Sequence, residues 1–211
     1  MKRICVTGGC RGSGTTFIAS SLALLLAEIV DGVTFVESPK VSNFKEEPRI
    51  WDLLSMEDGR HNNILNVKHN VNWIFREDSI NQKYQNDRKS RILSGSYVIY
   101  DDPREYRDFD LIICIVDSLP SKVMASVRKI NHLKEYFSNK TLWVLNRGKD
   151  EGKRAIEKYL GIKFDVVVPI ESTESFYKAE RFGRPLAKSK FIDVDVKTSI
   201  KKIAEYIASL Y

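Results

Sequence analysis

Near the amino terminus a short apolar run is joined to a long apolar one by seven residues, four of them glycine, and this junction constrains the fold more than any other feature. It reads Val6-Thr7-Gly8-Gly9-Cys10-Arg11-Gly12-Ser13-Gly14-Thr15-Thr16. The run Arg3–Thr7 predicts a strand, and Thr15–Val30 predicts a helix, apolar on most faces and therefore buried, that stops at Asp31-Gly32. Glycine permits the positive φ angles that turn successive backbone N–H groups inward and make an anion nest. The start of the helix adds its own unbonded donors and a partial positive charge. A phosphate cradle and a plain tight turn both use such a loop, and the loop alone leaves both readings open.

The rest of the chain alternates in the same way. Strands are predicted at Val33–Glu37, Val71–Phe75, Tyr97–Tyr100, Leu111–Val116, Thr141–Leu145 and Asp165–Val168, the last ended by Pro169. Helices are predicted at Ser121–Phe137, Lys149–Leu160 and Lys197–Leu210. Strands alternating with helices predict an α/β fold, a mostly parallel doubly wound sheet with helices on both faces. The 211 residues suit one domain spanning 1–211. Residues 39 to 68 form the least regular part, and 78 to 90 are polar and expected to be exposed.

Several function classes drop out. No apolar run reaches the roughly 18–20 residues that cross a bilayer. Met1-Lys2-Arg3 leads directly into a strand-like run, without the apolar segment and cleavage site of a signal peptide, so the expected location is the cytoplasm. Cys5, Cys10 and Cys114 have no metal-ligand spacing, and Cys5 and Cys114 read as core residues. His61, His69 and His132 are scattered. A net charge of +6 suits nucleotide, nucleic acid or acidic lipid, and does not choose among them.

Gly9 and Gly14 have the spacing of the P-loop pattern G-x-x-x-x-G-K-[ST], with Thr16 where a hydroxyl would ligate magnesium and Thr15 in place of the lysine. Val6–Thr16 resembles the opening of the MinD/ParA-type ATPases, whose deviant P-loop reads approximately G-K-G-G-x-G-K-T. In that alignment Cys10 replaces the signature lysine, Arg11 a glycine, and Thr15 the P-loop lysine. Tyr97–Pro103 resembles the family's apolar strand ending in Asp-x-Pro, Asp110–Val116 its next strand, and Leu142–Arg147 its V-x-N-R segment. Val168-Pro169 followed by Phe182-Gly183-Arg184-Pro185-Leu186 is similar to its carboxy-terminal pattern. The lysine-poor loop resembles the CpaE/TadZ branch, localisation and scaffolding factors of pilus assembly.

The resemblance implies ATP or ADP with Mg2+ as cofactors. Phosphates would lie on Gly9, Cys10, Arg11, Gly12, Ser13, Gly14, Thr15 and Thr16. Magnesium would be ordered by Thr16, Asp101 and Glu37, although Asp101 also reads as a cap before Pro103. The adenine would meet Asn146 and the backbone at Pro169, although Asn146 also reads as a turn residue. In the family's D-x-D segment this chain has Glu37-Ser38-Pro39, and Pro39 cannot serve as a base.

Phosphoryl transfer depends on positioning and positive charge, and losing one such contact typically costs roughly 10²–10³ in rate. The expected function is therefore nucleotide binding with weak or no hydrolysis, by a positioning or assembly scaffold with a protein partner. A homodimer through the nucleotide face is implied by the family, with Cys10 where the bridging lysine would stand. Two alternatives stay open: an active ATPase in which Arg11 supplies the missing charge, and a pseudo-ATPase that binds no nucleotide. Ile200, Ile203, Ile207 and Leu210 make an apolar stripe on the last helix, read as packing on the sheet in preference to membrane binding. Arg181, Arg184, Lys188 and Lys190 read as a solvated face in preference to a DNA contact.

Overall fold

A computed structural model describes residues 1–37, 66–68, 70–74, 96–103, 105–169 and 194–210. The strands are β1 (Lys2–Gly8), β2 (Val33–Glu37), β3 (Asn66–Lys68), β4 (Val71–Ile74), β5 (Tyr97–Asp101), β6 (Leu111–Asp117), β7 (Thr141–Gly148) and β8 (Val166–Pro169). The helices are α1 (Thr15–Leu26), α2 (Pro120–Phe137), α3 (Asp150–Leu160) and α4 (Val194–Ser209). The strands form one sheet in the order β3-β4-β2-β5-β1-β6-β7-β8, parallel throughout except for β3, which runs antiparallel to β4.

Alternation along the strands feeds two cores. Ile4 and Val6 of β1 point to the face covered by α1 and α4, where they meet Ile18, Leu22, Ile200 and Ile203. Cys5 points to the other face, with Val123, Ile130 and Leu133 of α2 and Leu160 of α3. Both faces of the parallel strands are therefore buried, which is why these strands read as continuous apolar runs. The doubly wound α/β arrangement expected from the sequence is the one found.

The chain runs from β1 to β2 on one side, and β6, β7 and β8 extend the sheet on the other. The order therefore reverses beside β1. Ligands of open α/β sheets bind at such a switch point, outside the carboxyl ends of the strands, and the glycine loop follows the carboxyl end of β1.

Three sequence expectations need correction. Helix α1 ends at Leu26, short of Val30: beyond it the bonds tighten to Glu28 N–H with Leu25 O and Ile29 N–H with Leu26 O, and Ile29 is exposed, while Ala27 and Val30 still pack partly on the core. The irregular stretch contains the short edge strand β3, whose turn into β4 uses Asn70 at φ 63°, a conformation asparagine tolerates. The last helix begins at Val194; its Ile200, Ile203 and Ile207 pack in the core as expected, whereas Leu210 lies past its end and is 41% exposed. Among the described residues no helix is long and apolar enough to cross a membrane. The polar stretch at 78–90 and the basic stretch with Arg181, Arg184, Lys188 and Lys190 lie outside the described residues.

Because Ile203 has no exposed surface and seals α4 onto the sheet, Ile203→Ala should lower stability by about 2–5 kcal/mol. Leu210→Ala should stay within about 0.5 kcal/mol. Urea denaturation of the two variants checks the contrast.

Candidate functional site

The loop begins as an extension of the sheet. Gly9 N–H donates to Ile115 O of β6 at 2.8 Å, and a methyl group on Gly9 would lie 2.5 Å from Ser126 Oγ. Only glycine lets α2 pack this close to the loop. The chain then turns through Gly12 at φ 76° and Gly14 at φ 86°, and Gly14 stands at the N-cap of α1, with no side chain capping the helix. Thr15, in the lysine's place, shares a hydrogen bond of 3.1 Å between its hydroxyl and that of Ser13.

Three successive loop carbonyls are held from outside. Lys122 Nζ donates to Arg11 O at 2.6 Å, an Arg147 guanidinium nitrogen to Gly12 O at 3.0 Å, and Asn146 Nδ2 to Ser13 O at 2.9 Å. In a trans peptide the next N–H points opposite to the carbonyl. The N–H groups of Gly12, Ser13 and Gly14 therefore face away from these three side chains. This is the orientation an anion nest needs, and it is imposed by residues far away in sequence.

The side chains that do this are fixed by a buried carboxylate. Asp117, at the end of β6, has no exposed surface, pairs with Arg147, and accepts from Leu119 N–H at 2.9 Å at the start of α2. Ser118 N–H donates to Asn146 O at 3.1 Å, and Arg147 takes φ 56° to turn back toward the loop. Ser126 Oγ donates to Lys122 O at 2.7 Å. Sequence reasoning stopped the strand at Val116 and missed Asp117, Lys122 and Ser126. A charged residue closing an otherwise apolar strand was the available signal for Asp117.

On the other face, Thr16 Oγ1 donates to Asp101 Oδ2 at 2.7 Å. Asp101 pairs in register with Glu37 on β2, so both carboxylates leave the sheet on one side, and both are buried. A hydroxyl and two carboxylates at a sheet edge are the hard oxygen donors that magnesium prefers. Among the described residues no group of three or more His, Cys, Asp and Glu gathers as a metal site, so such an ion would depend on Thr16 and water as well.

Asp102 points the opposite way: it accepts from Thr7 Oγ1 at 2.7 Å and pairs with Lys129 at 3.4 Å. Burial opposes the charge on Lys129, but Asp102 and Tyr106 outweigh it and raise its pKa. Asp102 therefore braces the carboxyl edge of the sheet and is not a second carboxylate beside Asp101.

Thus the structure gathers Gly9, Cys10, Arg11, Gly12, Ser13, Gly14, Thr15, Thr16, Glu37, Asp101 and Asn146 at one edge. Pro169 ends β8, opposite Gly148 of β7. Ser38, Pro39, Glu171 and Phe182–Leu186 lie outside the described residues.

No protein-family model matches the sequence, and no curated protein matches it. Solved structures do match in shape. A ParA family ATPase from Chlorobium tepidum superposes with a TM-score of 0.69 at 14% identity, covering 98% of each chain. A chain of the MinC:MinD cell division protein complex of Aquifex aeolicus gives 0.70 at 17%, covering 99% of this chain and 96% of that one. The septum site-determining protein MinD of Pyrococcus horikoshii, complexed with Mg-ADP, gives 0.64 at 17%, with the same coverage. The fold is that of the MinD and ParA ATPases.

Two outcomes test the loop. Gly14→Ala forces a Cβ into a left-handed position 2.3 Å from Asn146 Nδ2, and thermal unfolding should show a loss of about 1–3 kcal/mol. Burial pushes the Cys114 thiol up to about 12 and raises Cys5 well above the ordinary value, while Cys10 is half-buried on the loop. A thiol reagent should therefore modify one cysteine per folded chain, Cys10, and all three after unfolding.

Proposed function

We propose that this chain is a MinD/ParA-like nucleotide-binding protein, taking ATP or ADP with magnesium and acting as a positioning or assembly scaffold with little or no hydrolysis. The reading treats residues 1–211 as one P-loop-type domain. The observation that carries it is the orientation of the loop: the carbonyls of Arg11, Gly12 and Ser13 are engaged outward, and the following N–H groups face the other way, at the start of a helix with no side-chain cap.

Phosphates would rest on the backbone from Gly9 to Thr16. Thr16, Asp101 and Glu37 would hold magnesium, which when bound would neutralise phosphate charge. Asn146 and Pro169 would flank the base. One N–H of the Asn146 amide is committed to Ser13 O, leaving its oxygen and second N–H for adenine. The MinD of P. horikoshii, of the same fold, is complexed with Mg-ADP, which supports this choice of cofactors.

Slow hydrolysis follows from the replacements Cys10 and Thr15 and from Glu37-Ser38-Pro39 after β2. Backbone donors serve the bound ground state, but charge at the transferring oxygens is what accelerates the chemistry. The finer assignment, to a branch like the CpaE/TadZ scaffolds of pilus assembly, rests on that same loss of lysines. Work in the cytoplasm, a protein partner and a homodimer through the nucleotide face complete the proposal. The MinC:MinD complex of A. aeolicus is one such partnership in a protein of this fold.

Calorimetric titration with ATP and ADP, magnesium present, should give micromolar binding, with turnover near background. Absence of binding up to millimolar nucleotide would sink the reading in favour of a pseudo-ATPase. Robust turnover that disappears in Arg11→Ala would favour an ATPase driven by Arg11.

A further inference from the structure

Strand β7 is irregular where it reaches the loop. Asn146 pairs with Val168 of β8 and Gly148 with Pro169, so two residues of β7 stand against one of β8, and Arg147 is the extra residue of a bulge. Arg147 takes φ 56°, a left-handed angle that a residue with a side chain holds only where its surroundings impose it. In a regular strand Asn146 and Arg147 would leave opposite faces of the sheet. Across the bulge both reach the loop and hold successive carbonyls: Asn146 Nδ2 donates to Ser13 O at 2.9 Å, and Arg147 to Gly12 O at 3.0 Å.

One guanidinium nitrogen donates both to Gly12 O and to Asp117. The Asp117 carboxylate has no exposed surface and also accepts from Leu119 N–H, so it is a fixed point behind the arginine. The guanidinium lies on the carbonyl side of the loop. The peptide from Gly12 to Ser13 turns its N–H the other way, so any effect of Arg147 on a bound phosphate passes through that peptide.

We propose that the bulged Arg147, held by Asp117, is a positioning residue for a polyphosphate: it fixes the Gly12–Ser13 peptide with Ser13 N–H turned into the nest, and touches no phosphate itself. This rests on the nucleotide-binding reading above and deepens it. Gly12 at φ 76° and Gly14 at φ 86° flank Ser13, and glycine backbone has many other conformations open to it. Ordering that backbone at the moment of binding would cost affinity; Arg147 orders it in the folded protein beforehand. The pair brings one positive and one negative charge to this edge, so it adds no net charge for a phosphate to meet.

The test is calorimetric titration of the full chain with ATP and with ADP, magnesium present, at several salt concentrations. Asp117→Asn combined with Arg147→Met releases Gly12 O without leaving a buried charge unpaired, a replacement often close to neutral for stability. It should weaken both nucleotides roughly 10-fold, with the salt dependence of the dissociation constant unchanged. Its melting temperature without nucleotide should stay within about 4 °C of wild type. Asp117→Asn with Arg147→Gly, in which glycine takes φ 56° without strain, is the second variant should the first fold poorly, and should show the same loss. Arg147→Lys should bind within about 3-fold of wild type, because one ammonium can donate to Asp117 and to Gly12 O as that one nitrogen does. Lys201→Met with Glu205→Gln removes an exposed pair on α4 and should leave affinity unchanged.

Wild-type affinity in the double variants overturns this inference and leaves the nucleotide-binding reading intact. A flattened salt dependence also overturns it, by placing the guanidinium on the phosphates. Arg147→Lys as weak as the double variants overturns the role of the bond to Gly12 O. A wild-type chain that binds neither nucleotide overturns the nucleotide-binding reading and this inference together.

Discussion

A carboxylate without exposed surface ties together everything at the carboxyl edge of this sheet. Asp117 ends β6, and burying its charge is tolerable only because Arg147 and the N–H of Leu119 meet it there. Those two contacts fix the end of β7 and the beginning of α2. From β7 come Asn146 and Arg147, from α2 come Lys122 and Ser126, and all four reach the glycine loop. The loop is therefore not shaped by its glycines alone. They permit the backbone angles; the side chains radiating from Asp117 select one arrangement among those permitted.

The two faces of the sheet divide the work at this edge. On the α1 face, Thr16, Asp101 and Glu37 bring hydroxyl and carboxylate oxygens together. On the α2 face, the neighbouring Asp102 is spent on Thr7 and Lys129, with Tyr106 closing the network. Adjacent carboxylates thus differ in their partners: Asp101 ends β5, and Asp102, just past the strand at φ 52°, turns to the other face. Asp101 is joined to the start of α1 through Thr16; Asp102 braces the end of β5 against β1 and α2.

The sequence made the sheet legible because parallel strands buried on both faces are near-continuous apolar runs, as in Leu111–Val116, bounded by turn residues and helical patterns. The loop was legible through glycine spacing, and Thr16 and Asp101 through their places at an element boundary. What was missed has a common cause. Lys122 and Ser126 reach the loop across more than a hundred residues of chain, and Asp117 meets Arg147 across 30; contacts of that range leave no local pattern. Helix α1 was read too long for a related reason: Ala27, Ile29 and Val30 continue its apolar pattern, and that pattern does not report the tightening of the last turn before Asp31-Gly32. Strand β3, three residues at an edge, is too short to carry a period.

Where the positive charge sits bears on what the site can do. A lysine inside a phosphate loop follows the terminal phosphate as it moves, so it contributes more to the transition state than to the bound ground state. Backbone N–H groups are fixed in place. They would stabilise a bound phosphate and follow its motion less. On the proposed function, a loop with Thr15 turned to Ser13 would hold a polyphosphate more readily than cleave it. Such a balance would suit the proposed scaffold, since a bound nucleotide that persists can define a persistent surface for assembly.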